Sequence, residues 1–243
     1  FTDKEMYELK IAAWLHDCGK VATPEYVVDK STKLETIYDR IHTVATRFEV
    51  LKRDEEIKFL KKQLKIQKND SLIGMEKKEA LKKARALYLK KIKQMDDDKL
   101  FIEESNFGGE FMSKERKDKV NKIASYSFKD NGSAKSFLSE DEVYNLCISR
   151  GTLTPEERKV INDHIVVTIE MLEQLPYPKH LRNVPEFAGG HHEKLDGTGY
   201  PKGLNHSEMS VQAKIMAIAD IFEALTARDR PYKKGKTLSQ AMR

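Results

Sequence analysis

Six side chains in this sequence carry metal-ligand chemistry in surroundings that give a polar group little reason to be there. His191 and His192 stand side by side in GGHHEKLDGTGYPKG (189–203), beside a loop rich in backbone-bending residues. Asp220 lies within KIMAIADIFEAL (214–225), enclosed by Ile218, Ala219, Ile221 and Phe222. A segment apolar all round reads as a buried helix, and an ionised carboxylate there is costly unless a cation or strong donors compensate it. His164 falls beside an inward stripe of Val160, Ile161, Ile165, Thr168, Met171 and Leu172, and His16–Asp17 follow Leu15 at the end of another apolar helix.

Each has a plainer explanation when taken alone. A lone inward histidine is usually a core residue with a satisfied hydrogen bond, and a buried aspartate can be held by an arginine or by helix N-terminal amides. Together, however, they supply four of the chain's seven histidines and two aspartates. Imidazole and carboxylate ligands without thiolate favour iron or manganese over a structural zinc site. If His191 and His192 sit on a helix they diverge by about 100°, so they can serve two cations or grip one from two sides. His42, His180 and His206 lie in more polar sequence and are assigned no metal role. Beside the histidine pair, Gly197 and Gly199 permit positive φ and close backbone approach. Tyr200 offers either an aromatic face for a base or a ring that braces the loop.

The elements that must position these residues are helical. MYELKIAAWLHDCGK (6–20) reads as a buried helix ending at Gly19, and LETIYDRIHTVATRFEVL (34–51) carries Ile37, Ile41, Val44, Phe48 and Leu51 at helical spacing. From about 52 to 137 the chain turns dense in Lys, Glu and Asp. Two narrow apolar stripes around a reversal at NDSLIG (69–74) predict a helical hairpin, with NFGGEFMS (106–113) as a loop. A capping box at Ser139/Glu142 restarts the apolar pattern. In GTLTPEERKVINDHIVVTIEMLEQL (151–175), Thr154, Pro155 and Glu157 fit the N-cap, first and third helical positions. The last helices are expected at roughly 184–193 and 208–227. The chain thus divides into a first core segment (1–51), a charged helical insertion (52–137) and a second core segment (138–243), in an all-α bundle.

The totals narrow the function. With 243 residues, 39% hydrophobic and 34% charged, the chain is long enough for a sizeable core. A net charge of +5 fits an anionic substrate or no charged partner at all, and is too mild to indicate a nucleic-acid polymer as partner. Two cysteines, Cys18 and Cys147, make no disulfide framework and fit a reducing compartment. No apolar run reaches spanning length, so no membrane contact is expected from this segment. The expected location is cytoplasmic, alone or as the cytoplasmic part of a membrane-anchored sensor. The charged arm offers a surface for a homodimer.

HDCGK (16–20), KVINDHIVVTIEML (159–172), HHEKLDGTGYP (191–201) and IADIFEALTARDRPYKK (218–234) agree in order and character with an HD-GYP domain, a subgroup of the HD metal-dependent phosphohydrolases, which the chain resembles over roughly 1–51 and 137–243. The resemblance implies an all-helical HD bundle. It also implies that His16, Asp17, His164, His191, His192 and Asp220 hold two divalent ions, iron first and manganese as the alternative, with Asp17 bridging them. Lys20 matches the signature lysine beside the substrate phosphate and, with Asp17, the catalytic pair. Gly199, Tyr200 and Pro201 match the naming tripeptide, and Arg230 and Lys233 match residues that contact the cyclic dinucleotide. The implied reaction is hydrolysis of cyclic di-GMP to pGpG, with GMP as a further product and other cyclic dinucleotides as alternative substrates. A receptor of the same fold without turnover, and an HD phosphohydrolase for another nucleotide, are the competing readings. Two departures stand out: the charged insertion separates the HD and His164 helices more widely than in typical members, and in some members a further Glu or His ligand precedes the HD helix, which leaves two or three ions open.

Overall fold

The computed structural model describes residues 1–71, 73–130, 133–227 and 235–242. In chain order the elements are α1 (Asp3–Leu15), a 3₁₀ turn (Cys18–Ala22), α2 (Glu25–Val28), α3 (Ile41–Gln67), α4 (Met75–Asn106), α5 (Lys114–Ala124), strands β1 (Ser127–Asp130) and β2 (Ser133–Ser136), α6 (Glu140–Leu146), α7 (Pro155–Asn162), α8 (His164–Glu173), a second 3₁₀ turn (Lys179–Leu181), α9 (Val184–Gly189), α10 (Val211–Thr226) and α11 (Leu238–Ala241). Among the described residues the fold is all-α apart from one small antiparallel hairpin, in which Ser127 pairs with Ser136 and Asp130 with Ser133.

Two compact units make up the chain. The first joins Phe1–Lys30 to Leu153–Arg243, and the second is the continuous stretch Ser31–Thr152. The second unit is wider than the charged stretch, because residues on both flanks supply its core: Leu34, Val44, Phe48 and Leu51 pack with Phe101, Ile102, Phe137 and Leu146. Ile37, expected on the α3 stripe, is 96% exposed, since α3 begins only at Ile41. Beyond this core α3 and α4 run antiparallel as an arm, held by Phe59 stacked on Tyr88 and by the ion pairs Glu55–Lys91 and Glu49–Lys99. The reversal between them spans 68–74, as its turn residues predict.

In the first unit a small apolar centre of Ala12, Leu172, Val184, Phe187 and Ala188 holds α1, α8 and α9 together. Buried Glu8 of α1 accepts hydrogen bonds from the backbone and side-chain amides of Asn183, the residue that opens α9. The Thr154 hydroxyl caps α7 and Glu157 reciprocates, as predicted, while Glu157 also takes two bonds from the buried Lys30 ammonium.

Three local expectations are corrected. The 151–175 segment is two helices, because the His164 ring occupies the Ile161 carbonyl that would otherwise continue the ladder, and the chain turns at Asp163. Helix α1 buries only Glu8, Leu9 and Ala12, leaving Trp14 71% exposed. Helix α10 buries Ala213, Met216 and Ala217 but leaves Ile218 69% exposed, so it is half-covered rather than enclosed. Among the described residues no helix is long and apolar enough to cross a membrane.

Candidate metal centre

The first unit brings the six candidate ligands to one place. Asp17, just beyond the end of α1, has Oδ1 3.2 Å from His164 Nε2 and 3.9 Å from His191 Nε2. Its Oδ2 lies 3.3 Å from His16 Nε2, which in turn is 3.9 Å from Asp220 Oδ1 on α10. His192 completes the group, with its ring centroid 4.1 Å from that of His191 and 5.1 Å from that of His164. Two overlapping triads, His164–His191–His192 and His16–Asp17–His191, each have ligand atoms within 4.8 Å of one another.

Hydrogen bonding on the far side of the rings decides what these atoms offer. Nδ1 of His16, His164 and His191 meets the carbonyl three residues earlier, at Ala13 (2.7 Å), Ile161 and Ala188 (2.6 Å) respectively. A carbonyl only accepts, so each Nδ1 carries a proton, as in metal-binding histidines, and Nε2 is the ring nitrogen directed at Asp17. Among the described residues, Nε2 of His164 and of His191 is buried without a hydrogen-bond partner of good geometry, although Asp17 is near. Orphaned buried nitrogens are costly to leave in place, and a cation between them and the carboxylates satisfies both sides. The residues present therefore fit a divalent metal site.

The electrostatics agree. Burial pushes the His191 imidazole down, and burial together with the imidazoles of His191 and His164 pushes His192 down to about 3, so both stand neutral at pH 7. Burial works to raise Asp17, but the neighbouring His16 and His164 imidazoles and the Lys20 ammonium, 2.6 Å away, outweigh it and hold the carboxyl far below its ordinary range. His16 differs: the hydrogen bond its Nε2–H donates to Asp17 raises it, so a cation bound there would displace that proton. Neutral imidazoles and ionised carboxylate are the forms that bind metal.

Close backbone approaches make this geometry attainable. A Cβ on Gly19 would stand 2.1 Å from the His164 carbonyl oxygen and 2.6 Å from the Thr168 nitrogen, so only glycine lets the 3₁₀ turn after Asp17 lie against α8. The Gly19 amide donates to the buried Thr168 hydroxyl at 2.9 Å. Gly189 and Gly190 do the same for α9, pressed on Ile169 and Ala213. The chain leaves the helix there, so His191 and His192 follow α9 in a turn instead of extending it, and both rings face one centre.

The loop that follows is pinned by Glu193, whose importance the sequence did not betray. Its buried carboxylate accepts from the backbone amides of Lys202 (2.7 Å) and Leu204 (2.8 Å). Asp196 caps its own turn through the Thr198 amide and hydroxyl. Gly197 takes the expected positive φ of 76°, whereas Gly199 is needed for proximity, a Cβ there falling 2.3 Å from the Lys194 nitrogen. Tyr200, joined to Pro201 by a cis peptide, stacks on His192 at 4.8 Å and so braces it on one face. Arg230 and Lys233 lie outside the described residues.

The family model described as HD domain matches residues 139–243. Over 98 residues, 40% of this chain and 26% of the relative, the sequence is 39% identical to a cyclic di-GMP phosphodiesterase of Thermotoga maritima. Over 92 residues, 38% of this chain and 19% of the relative, it is 39% identical to 3′3′-cGAMP-specific phosphodiesterase 3 of Vibrio cholerae. A shorter stretch of 59 residues, 24% of this chain and 14% of the relative, is 49% identical to 3′3′-cGAMP-specific phosphodiesterase 1 of the same organism. The chain spans about a quarter or less of the length of these relatives. The matched segment carries His164, the histidine pair, the GYP loop and Asp220, and over it the chain is similar to an HD domain.

Proposed function

We propose that this chain is a metal-dependent phosphodiesterase that opens a cyclic dinucleotide, cyclic di-GMP first, to the linear pGpG and onward to GMP. The observation that carries the reading is the set of three imidazoles whose Nδ1 atoms are fixed by backbone carbonyls, with their Nε2 atoms gathered around one ionised aspartate. The names of the relatives supply the substrate class.

His16, Asp17, His164, His191, His192 and Asp220 would hold two divalent ions, iron first, with Asp17 between them because its two oxygens face different histidines. Such ions supply Lewis acidity toward phosphoryl oxygens and acidify a water near neutral pH. The chain's own work is orientation and charge. Water attacks phosphorus in line with the departing 3′ oxygen, so that one P–O bond forms as another breaks. Lys20, which pairs with Asp17 in the free site, is within reach of a phosphate seated there and stabilises the charge that develops on it. Tyr200 keeps His192 in register. Arg230 and Lys233, by the resemblance, would contact the cyclic dinucleotide, and a guanidinium such as that of Arg230 can hold a phosphate bidentately.

The test is product chromatography on protein loaded anaerobically with Fe(II) or Mn(II), with metal content measured on the same sample. Cyclic di-GMP should be converted to pGpG and then GMP, and chelator should stop the conversion. Tight binding with no product would refute the enzyme reading in favour of a receptor, and turnover of 3′3′-cGAMP alone would move the substrate assignment.

A further inference from the structure

The net charge of +5 conceals a strong asymmetry. Between residues 56 and 93, the distal part of the α3–α4 arm, thirteen basic side chains stand against four acidic ones, a net +9, while the rest of the chain carries −4. Twelve of the thirteen are lysines. Among the described residues, Lys61, Lys62, Lys65, Lys68, Lys77 and Lys78 have no acidic partner within 4.0 Å, in contrast to Lys58 and Lys91, which pair with Glu55. This is more unneutralised charge than a solvated helix face requires.

The end of the arm adds a second feature. Ile73 and Met75, at the reversal, are 78% and 83% exposed, and Leu64 one turn back is exposed as well. Beside them the two helices part into a groove of about 690 Å³ lined by apolar Phe59, Leu81 and Met75 and by polar groups in which Lys78, Lys82 and Arg85 outnumber Glu79. Cations ringing an exposed apolar tip are the pattern of a surface that meets lipid headgroups with its charge and acyl chains with its tip.

We propose that the distal arm docks this protein peripherally on an anionic bilayer. Charge complementarity selects this occupant. A second copy of the arm would bring +9 against +9, and a nucleic acid would use the lysines but leave Ile73 and Met75 without purpose. The arm does not span the bilayer; its tip enters the headgroup region while the lysines along its length lie over the acidic surface. The inference is independent of the metal centre, since all of its residues lie in the second unit.

The full chain should co-sediment with vesicles of phosphatidylcholine and phosphatidylglycerol (7:3), at least about ten-fold more strongly than with phosphatidylcholine alone, and 0.5 M salt should release it. Replacing Lys65 or Lys68 by alanine should weaken binding about five-fold each. The double variant Ile73→Asp/Met75→Asp should lose at least about ten-fold in vesicle binding with unchanged circular dichroism and unchanged turnover. The proposal is overturned by acidic vesicles that leave the protein in the supernatant. It is also overturned if duplex DNA or RNA binds more tightly than the vesicles with the double variant unaffected, or if the double variant instead abolishes a dimer that forms without lipid.

Discussion

Gly19→Ala is the sharpest perturbation this fold offers, because one methyl group is set against two rigid partners. Its Cβ would stand 2.1 Å from the His164 carbonyl oxygen and 2.6 Å from the Thr168 nitrogen, both backbone atoms of α8. A comfortable carbon–oxygen contact needs roughly 3.3 Å, so the 3₁₀ turn must retreat from α8 by about 1 Å. Overpacking of this kind costs about 1–3 kcal/mol, and loss of the Gly19 amide bond to the Thr168 hydroxyl adds about 1 kcal/mol or more. The larger consequence is positional. Asp17 is two residues away and now 3.2 Å from His164 Nε2. Metal–ligand distances tolerate only about 0.2 Å, so the retreat removes Asp17 from any ion that His164 holds. The expected outcome is a folded protein with a lower melting temperature, depleted in metal and inactive, measured by thermal unfolding, elemental analysis and product chromatography on one preparation. Gly19→Ala protein with the melting temperature and metal content of the parent would refute the reasoning.

Other substitutions separate the roles around the centre. Asp17→Ala should abolish turnover and lower bound metal by elemental analysis, whereas a mutant of full activity would remove Asp17 from the bridging position. Glu193→Ala strands the Lys202 and Leu204 amides, costing about 2–5 kcal/mol. It should raise KM by loosening the GYP loop while leaving metal content unchanged, since Glu193 binds backbone only. Arg230→Ala should raise KM with little change in kcat, and an unchanged KM would dismiss the phosphate contact. In the second unit, burial and the Asp98 carboxylate push the Tyr126 hydroxyl from 10.0 up to about 12. Because the folded value is the higher one, its contribution to stability is complete below pH 10 and is lost as pH rises through about 12. Ultraviolet titration should therefore show a late phenolate step that Tyr126→Phe removes.

What could be read in advance was whatever is encoded locally or by chemistry. The caps at Ser139 and Thr154 depend on residues three apart, and both formed. The six ligand candidates were legible because imidazole and carboxylate are out of place on apolar helices. Tertiary facts were not legible. Periodicity marks which face of a helix is apolar but not whether anything covers it, so α1 and α10 read as buried while Trp14 and Ile218 lie exposed. The break at Asp163 required knowing that the His164 ring takes the Ile161 carbonyl. Glu8 and Glu193 looked like ordinary surface acids, yet each anchors a distant backbone amide. Gly189 and Gly190 stood in plain view beside the histidines, but their purpose depends on Ile169 and Ala213, which pack from other helices.

The interruption of the first unit, which carries the histidine cluster, by a continuous second unit has a consequence for how the molecule is made. On the ribosome, His16 and Asp17 emerge more than a hundred residues before the histidines and aspartate they are to meet. Residues 31–152 form a compact unit whose own two ends lie together. Near one end, the Lys33 ammonium grips the carbonyls of Leu146 and Ile148 near the other. Closing that unit shortens a long search to a short one before residues 153 onward arrive, and damage to the clasp should surface as slow or failed assembly of a histidine cluster that it never touches.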